Sequence, residues 1–175
     1  MGWIDSLKRL RPKGNRYASM LNGFTPIYSQ FGQNIYASDV VQQCIVCITS
    51  EMKKLSPTHI RQDGQDVIPV SGNRQRVLNQ PNAFMSTSDF LEKITWNLFF
   101  NYNSWIIPTY DVWTDDKGKE RRSYKALYPV QPTMVEFQEN AAGRLYVKLS
   151  FANNFETTLP YDDVIHIRYK YSVND

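Results

Sequence analysis

Several kinds of sequence signal are scarce or missing in this chain of 175 residues. It has two cysteines, Cys44 and Cys47, and two histidines, His59 and His166. Two cysteines are too few for a disulfide framework and agree with a reducing compartment. No apolar run approaches the roughly 20 residues that a membrane-spanning helix needs. The N-terminus also lacks the apolar core and cleavage site of a secretory signal, so we expect the protein to stay in the cytoplasm in which it is made.

The sequence motifs of common enzymes are missing as well. There is no G-x-x-x-x-G-K-[ST], G-x-G-x-x-G, G-x-S-x-G or H-E-x-x-H pattern, so nucleotide-binding, hydrolase and zinc-protease activities lack their minimal parts. The formal net charge of +3 is too small to require a nucleic-acid partner. We therefore predict a protein that is not an enzyme, with no catalytic residue, no metal site and no cofactor.

What the chain does contain is enough apolar sequence for a folded domain, with 42% hydrophobic residues. Residues 1–36 form an exception. Their first part predicts a short basic helix that Pro12 ends, and the rest shows no sustained period, so we expect an extended, partly disordered N-terminal arm. A strap that docks on a neighbouring subunit is the alternative. The apolar residues of the short helix are Trp3, Ile4, Leu7 and Leu10.

A strong helical pattern begins at Ser38, which is a favourable N-cap, and should continue to about Leu55 because Pro57 follows. Its apolar residues fall within an arc of roughly 140° around the helix axis, as expected of an amphipathic helix with one buried face. These residues are Val40, Val41, Cys44, Ile45, Ile48, Met52 and Leu55.

A second helix is predicted from Ser86 to about Asn101, since Ser86 and Asp89 have the spacing of a capping box. This helix is apolar nearly all round, because Trp96, Phe99 and Phe100 lie opposite its main apolar face. We expect it to be covered on two sides, by a sheet and by the first helix; a subunit interface is the alternative. Two short strands at 58–61 and 67–70 and a brief helix at 72–78 should precede it.

After Ser104 the period changes from 3.6 to 2, most clearly where Leu145, Val147 and Leu149 alternate with polar residues. Short strands joined by tight turns predict an antiparallel meander. The expected fold class is α+β, with two main helices packed on an antiparallel β-meander and an extended N-terminal arm. The predicted strands are 105–113, 124–128, 133–137, 145–151, 155–159 and 164–169.

The cysteines and histidines have simple structural explanations. Cys44 and Cys47 lie in the middle of the first helix, on or beside its apolar stripe, where free cysteine packs as a small hydrophobic residue. A redox or metal role lacks a helix N-terminus or a second cysteine pair. His59 and His166 each stand alone in a predicted strand, which favours a structural role.

Charged residues at turns are the remaining candidates for chemistry. Two adjacent acidic pairs resemble those that metal-dependent nucleases and glycosidases assemble, but both stand where turns are expected. A basic cluster at a hairpin tip could contact phosphate, and it defines the main alternative function, a non-specific nucleic-acid-binding module. The acidic pairs are Asp115–Asp116 and Asp162–Asp163, and the basic cluster is Lys117, Lys119, Arg121 and Arg122.

Taken in order, these segments resemble the portal proteins of tailed bacteriophages, of the lambdoid siphophage type. Ala37–Ile45 and Leu55–Ile60 are similar to the first helix and strand of that family. Tyr102 departs from the pattern, since the family favours glycine there, and this predicts a slightly different turn. Further matching segments between about Ile35 and Tyr169 are Val77–Asn82, Met85–Leu91, Asn103–Ile107, Leu127–Pro132 and Tyr161–Arg168.

This resemblance implies a virion protein of a phage or prophage that forms a usually dodecameric ring at one capsid vertex. In that family the ring is the head–tail connector through which DNA is packaged and ejected. Its partners are copies of itself, the capsid protein, terminase, the head–tail adaptor and the double-stranded DNA in the channel. The resemblance assigns residues 37–175 to a wing-like domain that stops before the family's stem and clip, and 1–36 to the arm.

Overall fold

The computed structural model describes residues 15–21, by their backbone, and residues 38–169. The expected helix within residues 1–14 and the arm segment 22–36 lie outside this description. The helices are α1 (Asp39–Met52), α2 (Asn73–Asn79) and α3 (Thr87–Asn101). The strands are β1 (Asn15–Leu21), β2 (Ile60–Asp63), β3 (Asp66–Pro69), β4 (Asn103–Thr114), β5 (Glu120–Val130), β6 (Met134–Glu139), β7 (Leu145–Ser150), β8 (Glu156–Pro160) and β9 (Ile165–Arg168), with a 3₁₀ turn at Tyr161–Asp163.

Helix α3 begins with the predicted capping box. The Asp89 amide donates to Ser86 Oγ at 3.3 Å, and the Ser86 amide donates to Asp89 Oδ2 at 3.0 Å. Hydrogen bonds from Ser86 hold the pKa of Asp89 below its usual value. This pairing satisfies amides that the first helical turn would leave without partners, so the sequence motif determines where α3 starts.

Helix α3 ends at Tyr102, which lies in the left-handed region with a φ of 58°. We expected a different turn here because Tyr102 replaces the glycine that the family favours. The backbone has a conformation that glycine adopts easily at the end of a helix. A residue with a Cβ is strained in this region, at a cost of about 1 kcal/mol.

The strands form antiparallel sheets, as predicted; β6, β7 and β8 form a meander, but β4, β5 and β9 belong to a separate sheet. One sheet has the order β1-β6-β7-β8, a second has the order β5-β4-β9, and β2 pairs with β3. The two larger sheets both contribute side chains to one core, so they pack face to face, as sheets with one apolar side do. The buried core residues are Trp105, Ile107, Val135, Val147, Leu149, Leu159 and Val164.

Strand β1 is a feature that no periodic pattern indicated. Asn15–Leu21 lies in the N-terminal arm, which we expected to be extended and partly disordered. It pairs antiparallel with β6 at the edge of the first sheet. An edge strand makes ladder hydrogen bonds on one side only, so backbone pairing can hold a segment that lacks strict alternation.

Helices α1 and α3 pack against each other, and α3 packs on β4. Lys53, just after α1, contacts the start of α3: its carbonyl accepts from Ser88 Oγ at 2.9 Å, and its Nζ lies 3.6 Å from Glu92 Oε2. The end of α1 therefore meets the beginning of α3, and the two helices run antiparallel. No helix within residues 38–169 is both long and apolar enough to span a membrane.

Candidate assembly surface

Helix α1 is buried on only half of its apolar face. Ile45 and Thr49 are buried where α1 packs against α3, but Val40 is 71% exposed and Ile48 is 39% exposed. The prediction of one fully buried face was therefore wrong for its outer half, because α3 is only wide enough to cover the inner half. We name the outer half the outer stripe; it consists of Val40, Cys44, Cys47, Ile48 and, just beyond the helix, Leu55.

Cys44 and Cys47 are both exposed free thiols, so the prediction that they pack in the core was wrong. Their positions relative to the apolar residues were read correctly, but the stripe that they belong to faces outwards. No group of three or more His, Cys, Asp or Glu side chains that could hold a metal ion occurs in the described part of the chain.

The β2–β3 hairpin adds a second uncovered apolar surface. Every residue of both strands is exposed, although Ile60, Val67 and Ile68 are large and apolar. The hairpin is closed by Gly64 with a φ of 64°, which suits a tight turn. Isolated two-stranded hairpins are marginally stable in water, so this one is a candidate for contact with another surface.

Helix α3 has its two covered sides, as expected, since α1 and β4 both pack against it. Trp96 and Phe100 stack on each other with ring centroids 6.1 Å apart, and Phe99 lies 5.4 Å from the Tyr169 ring. These three aromatic side chains remain half-buried. The helix also buries three polar residues, Thr95, Asn97 and Asn101. Neither amide atom of Asn97 has a hydrogen-bonding partner among the described residues.

The distal half of the β4–β5 hairpin is exposed on both of its strands. We name residues 111–122 the arm; residues 1–36 are the N-terminal arm, a different segment. Its β4 part, from Asp111 to Thr114, is exposed at every position. Trp113 is 53% exposed, and Arg121 is its cross-strand partner. Exposed tryptophan paired with arginine is typical of residues that dominate the affinity of protein interfaces.

The basic cluster at the tip of the arm is largely neutralised. Arg121 Nε lies 2.9 Å from Asp115 Oδ2, and Arg122 Nη1 lies 2.8 Å from Asp163 Oδ1. The Arg122 guanidinium also lies 4.5 Å from the centre of the Tyr110 ring. Residues 111–122 contain four acidic and four basic side chains, so the arm carries no net positive charge with which to attract phosphate.

One aspartate of each acidic pair, Asp115 and Asp163, takes part in a turn or an ion pair. Asp115 Oδ1 accepts hydrogen bonds from the amides of Lys117 and Lys119, at 3.0 and 2.9 Å. These amides and the Arg121 side chain hold the pKa of Asp115 below its usual value, the Lys119 amide most of all. Asp163 binds Arg122. Asp115 thus organises the tip of the arm, as turn aspartates do.

His166 is held inside the molecule by neutral partners. Its Nε2 lies 2.8 Å from Asn103 Oδ1, its Nδ1 lies 3.2 Å from the Tyr161 hydroxyl, and its ring stacks on Trp105 with centroids 3.6 Å apart. Because an amide oxygen only accepts, Nε2 carries the proton and Nδ1 accepts from Tyr161. Burial, followed by the charge of Arg168, lowers the pKa of His166 to about 4. His166 therefore stays neutral near pH 7 and links β9 to β4.

His59 lies just before β2, and its backbone amide donates to Gln75 Oε1 at 2.6 Å; the structural role of its side chain stays a prediction. The sequence pattern did not mark Trp113 as a surface residue, because in an alternating strand it has the spacing of a core position. Asp111, two residues earlier, was the available signal, since it shares the face of Trp113 on β4 and is charged.

Comparisons with known proteins agree with this geometry. Residues 39–175 match the family model of the phage portal protein. One similar structure is the neck of an empty gene transfer agent particle computed with C6 symmetry, with a TM-score of 0.57 and 15% identity over 80% of this chain and 36% of that one. Another is the virion of a native gene transfer agent particle, with a TM-score of 0.57 and 12% identity over 80% of this chain and 34% of that one. A comparison with curated proteins gave no match.

The chain thus spans about a third of the length of these two structures. At 12–15% identity the likeness concerns the fold. The family match is independent of it and covers both main helices and every strand after α1. This chain belongs to the phage portal protein family.

Proposed function

We propose that this chain is a structural component of a phage portal vertex, namely the wing-like part of the ring through which DNA enters and leaves the capsid. The observation that carries the proposal is the continuous family match over residues 39–175. Portal proteins form oligomeric rings in phage particles. The chain would act by holding neighbouring subunits in register, without catalysing a reaction.

The uncovered apolar surfaces support this proposal. The outer stripe and the β2–β3 hairpin together expose large apolar side chains that an isolated folded domain would usually bury. In a ring, two surfaces of every subunit are covered by its neighbours.

The ion pairs of the arm disfavour the alternative function, a non-specific nucleic-acid-binding module. Both arginines of the tip are engaged with carboxylates, so phosphate would have to displace existing ion pairs. In the portal function the DNA, capsid protein, terminase and head–tail adaptor are partners of the complete ring in the virion, which assembles in the host cytoplasm.

The experiment that tests the proposal is the mass of the purified chain in solution, measured by light scattering over a range of protein and salt concentrations. We expect a species of many subunits that becomes more populated as the protein concentration rises. A chain that stays monomeric even when highly concentrated would overturn the proposal. A chain that stays monomeric and binds DNA with steep salt dependence would establish the nucleic-acid alternative instead.

A further inference from the structure

The β4–β5 ladder has one irregularity, close to the point where the hairpin becomes exposed. Thr109 pairs with Ala126, and the next pair is Tyr110 with Tyr124, so Lys125 is an extra residue between them. Such an extra residue forms a β-bulge, which interrupts the regular hydrogen bonding and bends the strand that carries it. Beyond the bulge lies the arm, whose β4 residues are all exposed. The bulge therefore separates a covered part of the hairpin from an uncovered part.

The rest of the described fold, which we name the body, holds β5 as far as the bulge. Arg76 Nη2 of α2 donates to the carbonyls of Tyr124 and Lys125, at 3.1 and 3.4 Å. Nearer the base, the Leu127 amide donates to the Pro81 carbonyl at 2.7 Å. These contacts fix the bulge to α2 and to the loop after it. A strand that is anchored up to a bulge and uncovered beyond it has the arrangement of a hinge.

One carboxylate connects the far side of the bulge to the body. Asp163 belongs to the 3₁₀ turn that joins β8 of one sheet to β9 of the other. Its Oδ1 lies 2.8 Å from Arg122 Nη1, and the Tyr110 side chain donates a hydrogen bond to the same carboxylate. The Arg122 guanidinium also lies 4.5 Å from the centre of the Tyr110 ring. We name this group of three side chains the latch.

The other ion pairs of the arm do not reach the body beyond β5. Arg121 pairs with Asp115 inside the arm, and Asp111 pairs with Lys125 at the bulge. Among the ion pairs of residues 38–169, the latch is therefore the one that joins the arm to a different part of the fold. The Asp163 side chain is only 20% exposed, so water and salt weaken this pair less than they weaken a fully exposed one.

We infer that the arm is a hinged element, which pivots about the bulge at Lys125 and is held in one orientation by the latch at Asp163. When Arg122 and Tyr110 separate from Asp163, the arm rotates as a paired hairpin while the base keeps its buried side chains. This device goes beyond the proposed function and does not depend on it, since all of its parts lie in a single chain.

The first experiment measures the orientation of the arm in the full chain. Spin labels are attached at Lys117→Cys in the tip of the arm and at Ala142→Cys in the β6–β7 turn, where both side chains are exposed. Cys44→Ser and Cys47→Ser remove the native exposed thiols. The labelled chain is mixed with an excess of unlabelled chain, so that double electron–electron resonance reports distances within one subunit. The latched protein should give one narrow distance distribution.

Three variants then test the latch. Arg122→Gln and Asp163→Asn each remove the ion pair from one side, and both should broaden the distance distribution. Arg122→Gln should have the larger effect, because it also removes the contact of the guanidinium with the Tyr110 ring. Arg121→Gln is the matched control: it breaks an ion pair inside the arm and should leave the distribution as in the parent.

The second experiment distinguishes a pivot from unzipping of the arm. Amide hydrogen exchange is followed residue by residue in the parent and in Arg122→Gln. The protected amides of the arm should keep their exchange rates, because a pivot leaves the β4–β5 ladder paired. Exchange that becomes roughly fivefold faster or more throughout the arm would show that it unzips, which overturns the hinge.

The distance measurements also contain outcomes that overturn the inference. An unchanged distribution in both Arg122→Gln and Asp163→Asn would show that the latch does not set the orientation of the arm. Equal broadening in Arg121→Gln would show that a looser tip is sufficient, so the bulge is not the pivot. Each of these results leaves the portal function standing, because that function is tested by the mass of the assembled species.

Discussion

The β4–β5 hairpin has a base, around residues 105–107 of β4, and an arm, residues 111–122. They belong to the same two strands but have opposite environments. At the base, Trp105 is completely buried, and Ile106 and Ile107 are nearly so. In the arm, Val112 and Trp113 are more than half exposed. The strands are paired on both sides of a single irregularity between Thr109 and Tyr110, so backbone pairing does not distinguish the two halves. What differs is whether a second layer covers them, and the base therefore contributes to stability while the arm is available for contacts.

The largest expected effect comes from exchanging tryptophan for alanine in each half. Trp105→Ala leaves a large cavity in the core and should lower the free energy of unfolding by about 4 kcal/mol. Trp113→Ala should change it by less than about 0.5 kcal/mol, since the ring is mostly in solvent. Urea denaturation measures both. Equal losses for the two variants would contradict the distinction between base and arm.

The next effect concerns buried amides near the base. Asn82 donates to the Leu127 carbonyl at 2.9 Å and accepts from the Phe84 amide at 2.9 Å, so Asn82→Leu should lower the free energy of unfolding by about 2–3 kcal/mol. Asn97 is equally buried but unpaired among the described residues. Asn97→Leu should raise that free energy by about 1 kcal/mol. A loss in both variants would show that Asn97 has a partner that we have not identified.

A smaller effect is the pH dependence that His166 gives to the base. Its folded-state pKa is lowered to about 4 from 6.5, so the unfolded chain binds the proton first as the pH falls. Stability should be constant above pH 6.5 and decrease between pH 6.5 and pH 4, by about 2 kcal/mol after allowance for partial exposure.

Carboxylates also titrate near the lower end of this range, so the comparison needs a variant. His166→Gln keeps polar atoms at the position and cannot titrate. The difference between the two pH profiles of unfolding, measured by urea denaturation, isolates the histidine. If the profiles run parallel between pH 7 and pH 5, the inferred burial of a neutral His166 is wrong.

The smallest effect is expected at the turn that leads into the base. Tyr102→Gly relieves a left-handed tyrosine but loses the contact with Tyr169, whose ring lies 6.1 Å away. The melting temperature should rise slightly, by the equivalent of less than about 1 kcal/mol. Asn154→Gly is the matched control, since Asn154 has a φ of 59° but asparagine tolerates this region better. A larger gain at Asn154 would contradict the strain argument.

Local signals in the sequence predicted the elements well. The Ser86–Asp89 capping box placed the start of α3, and alternating residues placed β7 within one residue of its observed end. The predicted end of α1 was less accurate: the helix ends at Met52, whereas Pro57 had suggested an end at about Leu55. Helix ends are less sharply encoded when no capping motif is present.

Whether each apolar face is buried or exposed could not be predicted in the same way. Cys44 and Ile45 are neighbours in the predicted apolar arc of α1, yet Ile45 is buried and Cys44 is exposed. Periodicity describes an apolar arc, but not how much of it the neighbouring helix covers. The same reason explains Trp113, whose strand pattern is identical to that of a core position.

The sequence by itself determined the α+β class, the order of the elements and the family, because these depend on local periodicity, capping and short motifs. The tertiary structure decided the rest: the division of the meander into two packed sheets, the placement of β1 beside β6, and the exposure of the outer stripe and the arm. Burial is a property of layers that meet from distant parts of the chain, and no local pattern specifies where such a layer stops.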